Sequence, residues 1–322
     1  MDKIKTILKK NGVLRRIGKR INNINIFKYD EKSFSQCFMD SALREERYDY
    51  SIMMLVHSLE KGMCMKDVRP FGFEKVMQLK KHLEDTRNKE SFEYKLGVSA
   101  LFSWKTLFDE MKWEKNKEYS EIELFLKEKK CELETGKKKY IPTNINTIDM
   151  YKDIISSRHS VRDFANKKID INDLEKAIKC FIETPTACNR QMCKLLFIED
   201  LEIKELFDKN ILGIHGVNKN TVHYFVVTYD LASLAYSGER QQGMFNAGLC
   251  TTNFINALHA SGIGSCCLQW SNKRKEDVIV RNKLGLNKSE RIAIVIGAGY
   301  YKDLNYIPCS TRKEISNIFR II

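Results

Sequence analysis

Arg158-His159-Ser160-Val161-Arg162 sets two guanidinium groups, an imidazole and a hydroxyl within five residues. A guanidinium offers fixed N–H donors that match a phosphate or carboxylate, and a hydroxyl adds a further bond, so the chemistry suggested is anion binding. The same cations follow a helical stretch, Asp149–Ser157, where they also suit a helix C-terminus, and alone the segment does not separate the two roles. Three other constellations are weaker. His57-Ser58-Leu59-Glu60 places an imidazole and a carboxylate on one helix face, but no further ligand pair is evident, so His57 reads as structural and no metal site is expected. Gly297-Ala298-Gly299 follows an apolar run, yet it lacks the third glycine and the following helix that would hold a dinucleotide. Cys266-Cys267, flanked by glycine and apolar residues, read as small buried hydrophobes rather than a redox pair. No side chain is assigned as a catalytic nucleophile, acid or base.

The elements that must position these residues divide the chain. Residues 1–28 are rich in Lys and Arg against a single Asp2. Within them Ile4, Ile7, Leu8, Leu14, Ile17, Ile21 and Ile24 recur at helical spacing, which predicts a basic amphipathic helix. Such a helix lies either on an anionic membrane surface or on its own protein. Residues 34–135 read as helical, with Ser51–Glu60, Phe73–Asn88 and Ser91–Trp113 as the clearest segments and Gly62 expected just past a helix end. Lys127–Lys139, running to Pro142-Thr143-Asn144, is the expected linker. Beyond it come helices Asp149–Ser157, Asp173–Thr184 and Met244–Ala260. Short apolar runs at Leu195–Ile198, Tyr224–Val227 and Ile292–Ile296 read as buried strands. The expected organisation is a helical region over 1–145 and a sheet-containing domain over 146–322.

Composition narrows the classes. The chain has 322 residues, ten scattered cysteines without a C-x-x-C pair, and a net charge of +13. No apolar run approaches the roughly 18 residues of a membrane span, and no secretory signal is visible. Reduced cysteines in a cytoplasmic protein, peripheral at most to the inner face of the membrane, are expected. Nucleic acid is set aside, because the aromatic residues are not interleaved with the cations. Anionic small molecules or an acidic membrane surface suit the charge as well.

Further motifs follow Arg158 in order: Pro185-Thr186-Ala187-Cys188-Asn189-Arg190-Gln191, Gly238-Glu239-Arg240, Asn246-Ala247-Gly248, Ala257-Leu258-His259, the stretch from Gly262 to Trp270, Gly297-Ala298-Gly299-Tyr300 and Ser310-Thr311-Arg312-Lys313. This succession, over about residues 150–320, resembles the nitroreductase family. His57-Ser58-Leu59-Glu60-Lys61-Gly62 resembles a motif of a branch with a helical N-terminal extension, associated with bacterial polysaccharide biosynthesis.

The resemblance implies an α+β fold, a central and mainly antiparallel sheet flanked by helices, in a homodimer with FMN at the interface. It implies a flavoprotein oxidoreductase that passes hydride from NAD(P)H through FMN to an unknown acceptor in two half-reactions. The alternatives are an FMN enzyme acting on a cell-envelope polysaccharide intermediate and a non-enzymatic scaffold at the membrane. Carried over, Arg158 and Arg312 would hold the FMN phosphate, with His159 and Ser160 at the phosphate and ribityl chain. Arg162 would face the pyrimidine edge, where the reduced flavin gathers negative charge. Thr186, Ala187 and Asn189 would reach the flavin from the other subunit, Cys267, Leu268 and Gln269 would line the ring near N5, and Asn218 would touch its edge. Asn246, Thr252-Asn253 and Arg190-Gln191-Met192-Cys193 depart from commoner family residues, which bears on the substrate rather than on the phosphate.

Overall fold

A computed structural model describes residues 12–39, 48–141, 147–211, 213–270 and 274–322. Two parts of the expectations lie outside these residues: the first eleven residues of the basic helix, and the Pro142-Thr143-Asn144 end of the linker.

Among the described residues the first element is α1 (Gly12–Cys37), followed by α2 (Asp49–Met63), α3 (Phe73–Asp85), α4 (Phe92–Glu110) and α5 (Lys117–Leu126). Local sequence fixes several starts. The Ser91 hydroxyl accepts from Tyr94 N at 3.2 Å, and Asn116 Oδ1 accepts from Tyr119 N at 2.9 Å, each capping a helix N-terminus. Helices α2–α5 close over their own core of Ile52, Leu59, Leu79, Leu101, Trp104, Phe108 and Tyr119. The Trp104 indole N–H donates to Phe71 O at 3.0 Å, so this large ring is buried without an orphaned donor.

Two expectations are corrected in this region. Gly62 does not end α2 but lies inside it, where a β-carbon would stand 2.1 Å from the Phe71 ring. The glycine is there for close approach, not for a left-handed cap. The second half of the expected linker is docked rather than free. The buried Ser99 hydroxyl accepts from Glu132 N and Leu133 N, both at 3.1 Å, and Gly136 N donates to Glu60 Oε1 at 3.2 Å.

After α6 (Ile148–Ser157) and α7 (Ile171–Ile182), the chain builds one sheet from β1 (Cys193–Ile198), β2 (His223–Asp230), β3 (Ile263–Leu268) and β4 (Glu290–Tyr300). The strand order is β1-β2-β4-β3, with every neighbouring pair antiparallel. Three helices, α8 (Leu201–Asn210), α9 (Gln242–Ala260) and α10 (Arg274–Lys283), complete the layers. The architecture is therefore α+β, as expected, with β3, α8 and α10 added to the elements read from sequence.

Alternation along β2 shows why the strands read as unbroken apolar runs. Tyr224 and Val226 join a core with Phe207, Val280 and Val295, while Phe225 and Val227 join another with Phe181, Phe254 and Ile296. Both faces of the sheet are covered, so no strand position needs to be polar. The helical region is seated on this domain. Phe34, Phe38 and Tyr50 pack against Met192, Leu231 and Leu234, and Met39 N donates to Leu234 O at 2.6 Å. On the other side of α1, Ile17, Ile21 and Ile24 stay exposed. Among the described residues no helix is long and apolar enough to cross a membrane.

Candidate functional site

Helix α6 delivers the Arg158 segment to a sheet edge. Arg158 N donates to Ile154 O at 3.1 Å, closing the helix, and the backbone leaves in an extended conformation. Ser160 then forms a parallel bridge with Ser265, and Val161 N donates to Ser265 O at 3.0 Å. The segment thus runs as a short extra rung beside β3, with Val161 buried and Arg158, His159, Ser160 and Arg162 half-buried. One turn further on, Asn218 N donates to Arg162 O at 3.0 Å, and Asn218 Nδ2 donates to Asp163 Oδ1 at 3.1 Å. Lys302 and Asn218 together hold the Asp163 carboxyl below its ordinary range.

Among the described residues, neither Arg158 nor Arg162 has a carboxylate within ion-pair distance or a hydrogen-bond acceptor for its guanidinium. Their charges are felt by their neighbours. Burial pushes the Cys266 thiol up, while Arg162, the Ser160 hydroxyl and Arg158 pull it back. His259, at the end of α9, is depressed by burial and then by Arg158 and His159. Its ring bridges Ser157 Oγ at 2.8 Å and Tyr301 Oη at 2.7 Å, tying α6 to the chain leaving β4. A half-buried cationic edge that includes the Ser160 hydroxyl is suited to an oxyanion and, through Arg162, to negative charge on a ring.

The vicinal cysteines need a correction. Cys266 is buried as expected, but Cys267 is exposed, because successive strand residues face opposite sides of β3. Crowding by protein around it, and then Cys266, push its thiol up to about 11, so it is not a ready nucleophile. Leu268 is buried and Gln269 exposed at the end of the same strand.

The structure thus gathers Arg158, His159, Ser160, Arg162, Asn218, Cys267, Leu268 and Gln269 around the β3 edge. It does not bring the remaining candidates there within one chain. Thr186, Ala187 and Asn189 lie on the turn entering β1, at the opposite edge of the sheet, roughly 14 Å away at ordinary strand spacing. Asn189 instead lines a cavity of about 270 Å³ with His57 and Glu60 of α2. Arg312 is exposed on the C-terminal segment.

Two features escaped the sequence reading. His259 was visible only as part of Ala257-Leu258-His259, and its position beside Ser157 is set by the packing of α9 on α6. Arg190, a departure from the family pattern, is a fully buried side chain in a bidentate pair with Glu239, at 2.7 and 2.8 Å. The Gly297 and Gly299 pair lies within β4, where β-carbons would meet Val222 and Phe164 at 3.0 and 2.6 Å. Packing, not a phosphate loop, explains those glycines. Among the described residues no group of three or more His, Cys, Asp and Glu could hold a metal ion.

An α+β domain with a cationic strand-edge site is the class that fold and site define. The nitroreductase family model matches residues 155–225 and 223–300, which include the Arg158 segment and all four strands. A protein of Archaeoglobus fulgidus named NADH dehydrogenase/NAD(P)H nitroreductase is 24% identical over 151 residues, covering 47% of this chain and 84% of that protein. The crystal structure of a Parabacteroides distasonis protein with the same name has a TM-score of 0.47 at 18% identity, covering 53% of this chain and 97% of that one. A Desulfovibrio desulfuricans nitroreductase in complex with FMN has a TM-score of 0.45 at 18% identity, covering 52% of this chain and 94% of that one.

Proposed function

We propose that the protein is an FMN-dependent oxidoreductase of nitroreductase type, drawing electrons from NAD(P)H and passing them to a small-molecule acceptor. The observation that carries this reading is the pair of half-buried guanidiniums, Arg158 and Arg162, left without carboxylate partners beside the Ser160 hydroxyl, inside the segment that the family model matches. Burying two like charges is costly unless an anion joins them, and a flavin mononucleotide offers one at its phosphate and another at its pyrimidine edge.

In this reading Arg158, His159 and Ser160 bind the phosphate end, joined by Arg312. Arg162, held by the Asn218 N–H on its own carbonyl, presents its cation to the ring. Cys267, Leu268 and Gln269 form the wall beside N5, shielding the ring from water on that side. When bound, FMN supplies hydride transfer at N5, and no side-chain nucleophile is needed. Placement of Thr186, Ala187 and Asn189 at the far sheet edge supports a homodimer in which these residues serve the partner's flavin. The acceptor is a small molecule, and an intermediate of cell-envelope polysaccharide synthesis is the class suggested by the resemblance around His57.

Purified protein should be yellow, release FMN on denaturation and bleach anaerobically with NADH or NADPH. Arg158→Ala should weaken FMN binding about tenfold or more. A colourless protein that takes up no added FMN would overturn the proposal.

A further inference from the structure

A second set of cations lines a groove beside α1, built from α10 and the start of β4 rather than from the Arg158 segment. A groove of about 710 Å³ runs between α1 and the turn that connects α10 to β4. Ser33 and Gln36, with Tyr29 one turn earlier, line one wall from a single face of α1. Arg274, Lys288 and Arg291 face them from the other wall, with Arg281 at the base.

The arginines differ in how they are used. Arg281 is fully engaged: it donates to Glu290 O at 2.9 Å, to Asn287 O and Lys288 O at 3.1 Å, and to Tyr29 Oη at 3.3 Å. Its charge is balanced by Asp277 at 3.7 Å, which also accepts from Tyr29 and Trp270. Arg291 donates through Nη1 alone, to the backbone carbonyls of Lys288 and Glu290 at 2.5 and 2.9 Å. Among the described residues its other nitrogens find no acceptor and no carboxylate lies within ion-pair distance. Asp30 is near enough to feel Arg291 but forms no ion pair with it. Glu290 is taken by Lys194 at 2.6 Å.

Two guanidiniums are therefore held close together, one of them half-buried and uncompensated, beside hydroxyl and amide groups and an open volume. Such an arrangement is costly when empty and favours an anion with several oxygens. We propose that this groove binds a small organic phosphate, its phosphoryl oxygens held by Arg291, Lys288 and Arg274 and its polar body met by Ser33 and Gln36. The site is separate from the one assigned to FMN and does not depend on that assignment.

Calorimetric titration of the full chain, preincubated with excess FMN, with inorganic pyrophosphate tests it. One saturable site per chain is expected, weakened about tenfold or more in Lys288→Gln and in Arg291→Gln and unchanged in Arg158→Gln. Lys288 is exposed, so its variant carries the test if Arg291→Gln fails to fold. Absence of saturable binding would overturn the proposal, as would binding that is lost in Arg158→Gln and kept in Lys288→Gln. Flavin absorbance of the same samples reports separately on the FMN site.

Discussion

Cys188, Asn189 and Gln191 have φ of 52°, 50° and 47°, a left-handed conformation that costs each such residue roughly 1–2 kcal/mol. What sustains this turn is Arg190 between them. Its Nε donates to Ala187 O at 2.9 Å, its Nη1 to Ser233 O at 2.5 Å, and both terminal nitrogens to Glu239. Burial alone would raise the Glu239 carboxyl, but the Arg190 bonds and the Ala235 N–H outweigh it and hold it below its ordinary range. A depressed carboxyl contributes stability above its unfolded pKa, and that contribution is lost as pH falls through the folded value. Glu239→Ala leaves a buried guanidinium unpaired and should cost about 3–5 kcal/mol in urea unfolding, with a flatter acid limb than the parent. A loss below about 1 kcal/mol would show that the pair does not hold the turn. None of this was legible in sequence, because the partners are far apart along the chain and meet only when the 237–239 turn folds over the entry to β1.

Helix α2 carries its lesson at the scale of an element. A glycine in a helix interior ordinarily weakens it, so alanine there should gain about 0.5–1 kcal/mol. At Gly62 the Phe71 ring occupies the place of the missing methyl. Gly62→Ala should therefore lower stability, by about 1–3 kcal/mol, as overpacking does. The sign of the change in thermal midpoint decides between the two roles. Helices with a clean apolar stripe, such as α2 and α3, were readable because burial on one face imposes the 3.6-residue period. Strand β3 was not, since Gly264-Ser265-Cys266-Cys267 has little strand preference of its own and is extended by its pairing with β4. Helices α8 and α10 were hidden by their high charge.

For the whole molecule, the apolar surface left uncovered points to what a single chain lacks. Leu304, Tyr306, Ile315, Ile318 and Phe319 on the C-terminal segment are 66%, 91%, 80%, 74% and 66% exposed. A run of this kind is commonly buried against a partner. On the proposed reading, removing residues 304–322 should convert the dimer to a monomer in sedimentation velocity and release flavin, because Arg312, assigned there to the phosphate, goes with it. A truncated chain that stays dimeric with its flavin bound would rule out this segment as an interface element. The proposed dimer would account for Thr186 and Asn189 lying at the far sheet edge from their own Arg158.

By itself the sequence determined the helical N-terminal region, strands β1, β2 and β4, and the Arg158-to-Arg162 cluster with the ordered motifs behind it. Periodicity and side-chain chemistry are local, so they survive in one dimension. Only the tertiary structure decided that Cys267 faces outward while Cys266 does not, that Arg190 is a clamp, that the residues after Lys130 dock on α4, and that a second set of cations gathers beside α1. Each depends on which distant segments meet. The Arg158 segment gains its meaning in the same way: two cations at a helix end become a half-buried, unpaired site because β3 receives Ser160 and Val161 as an extra rung.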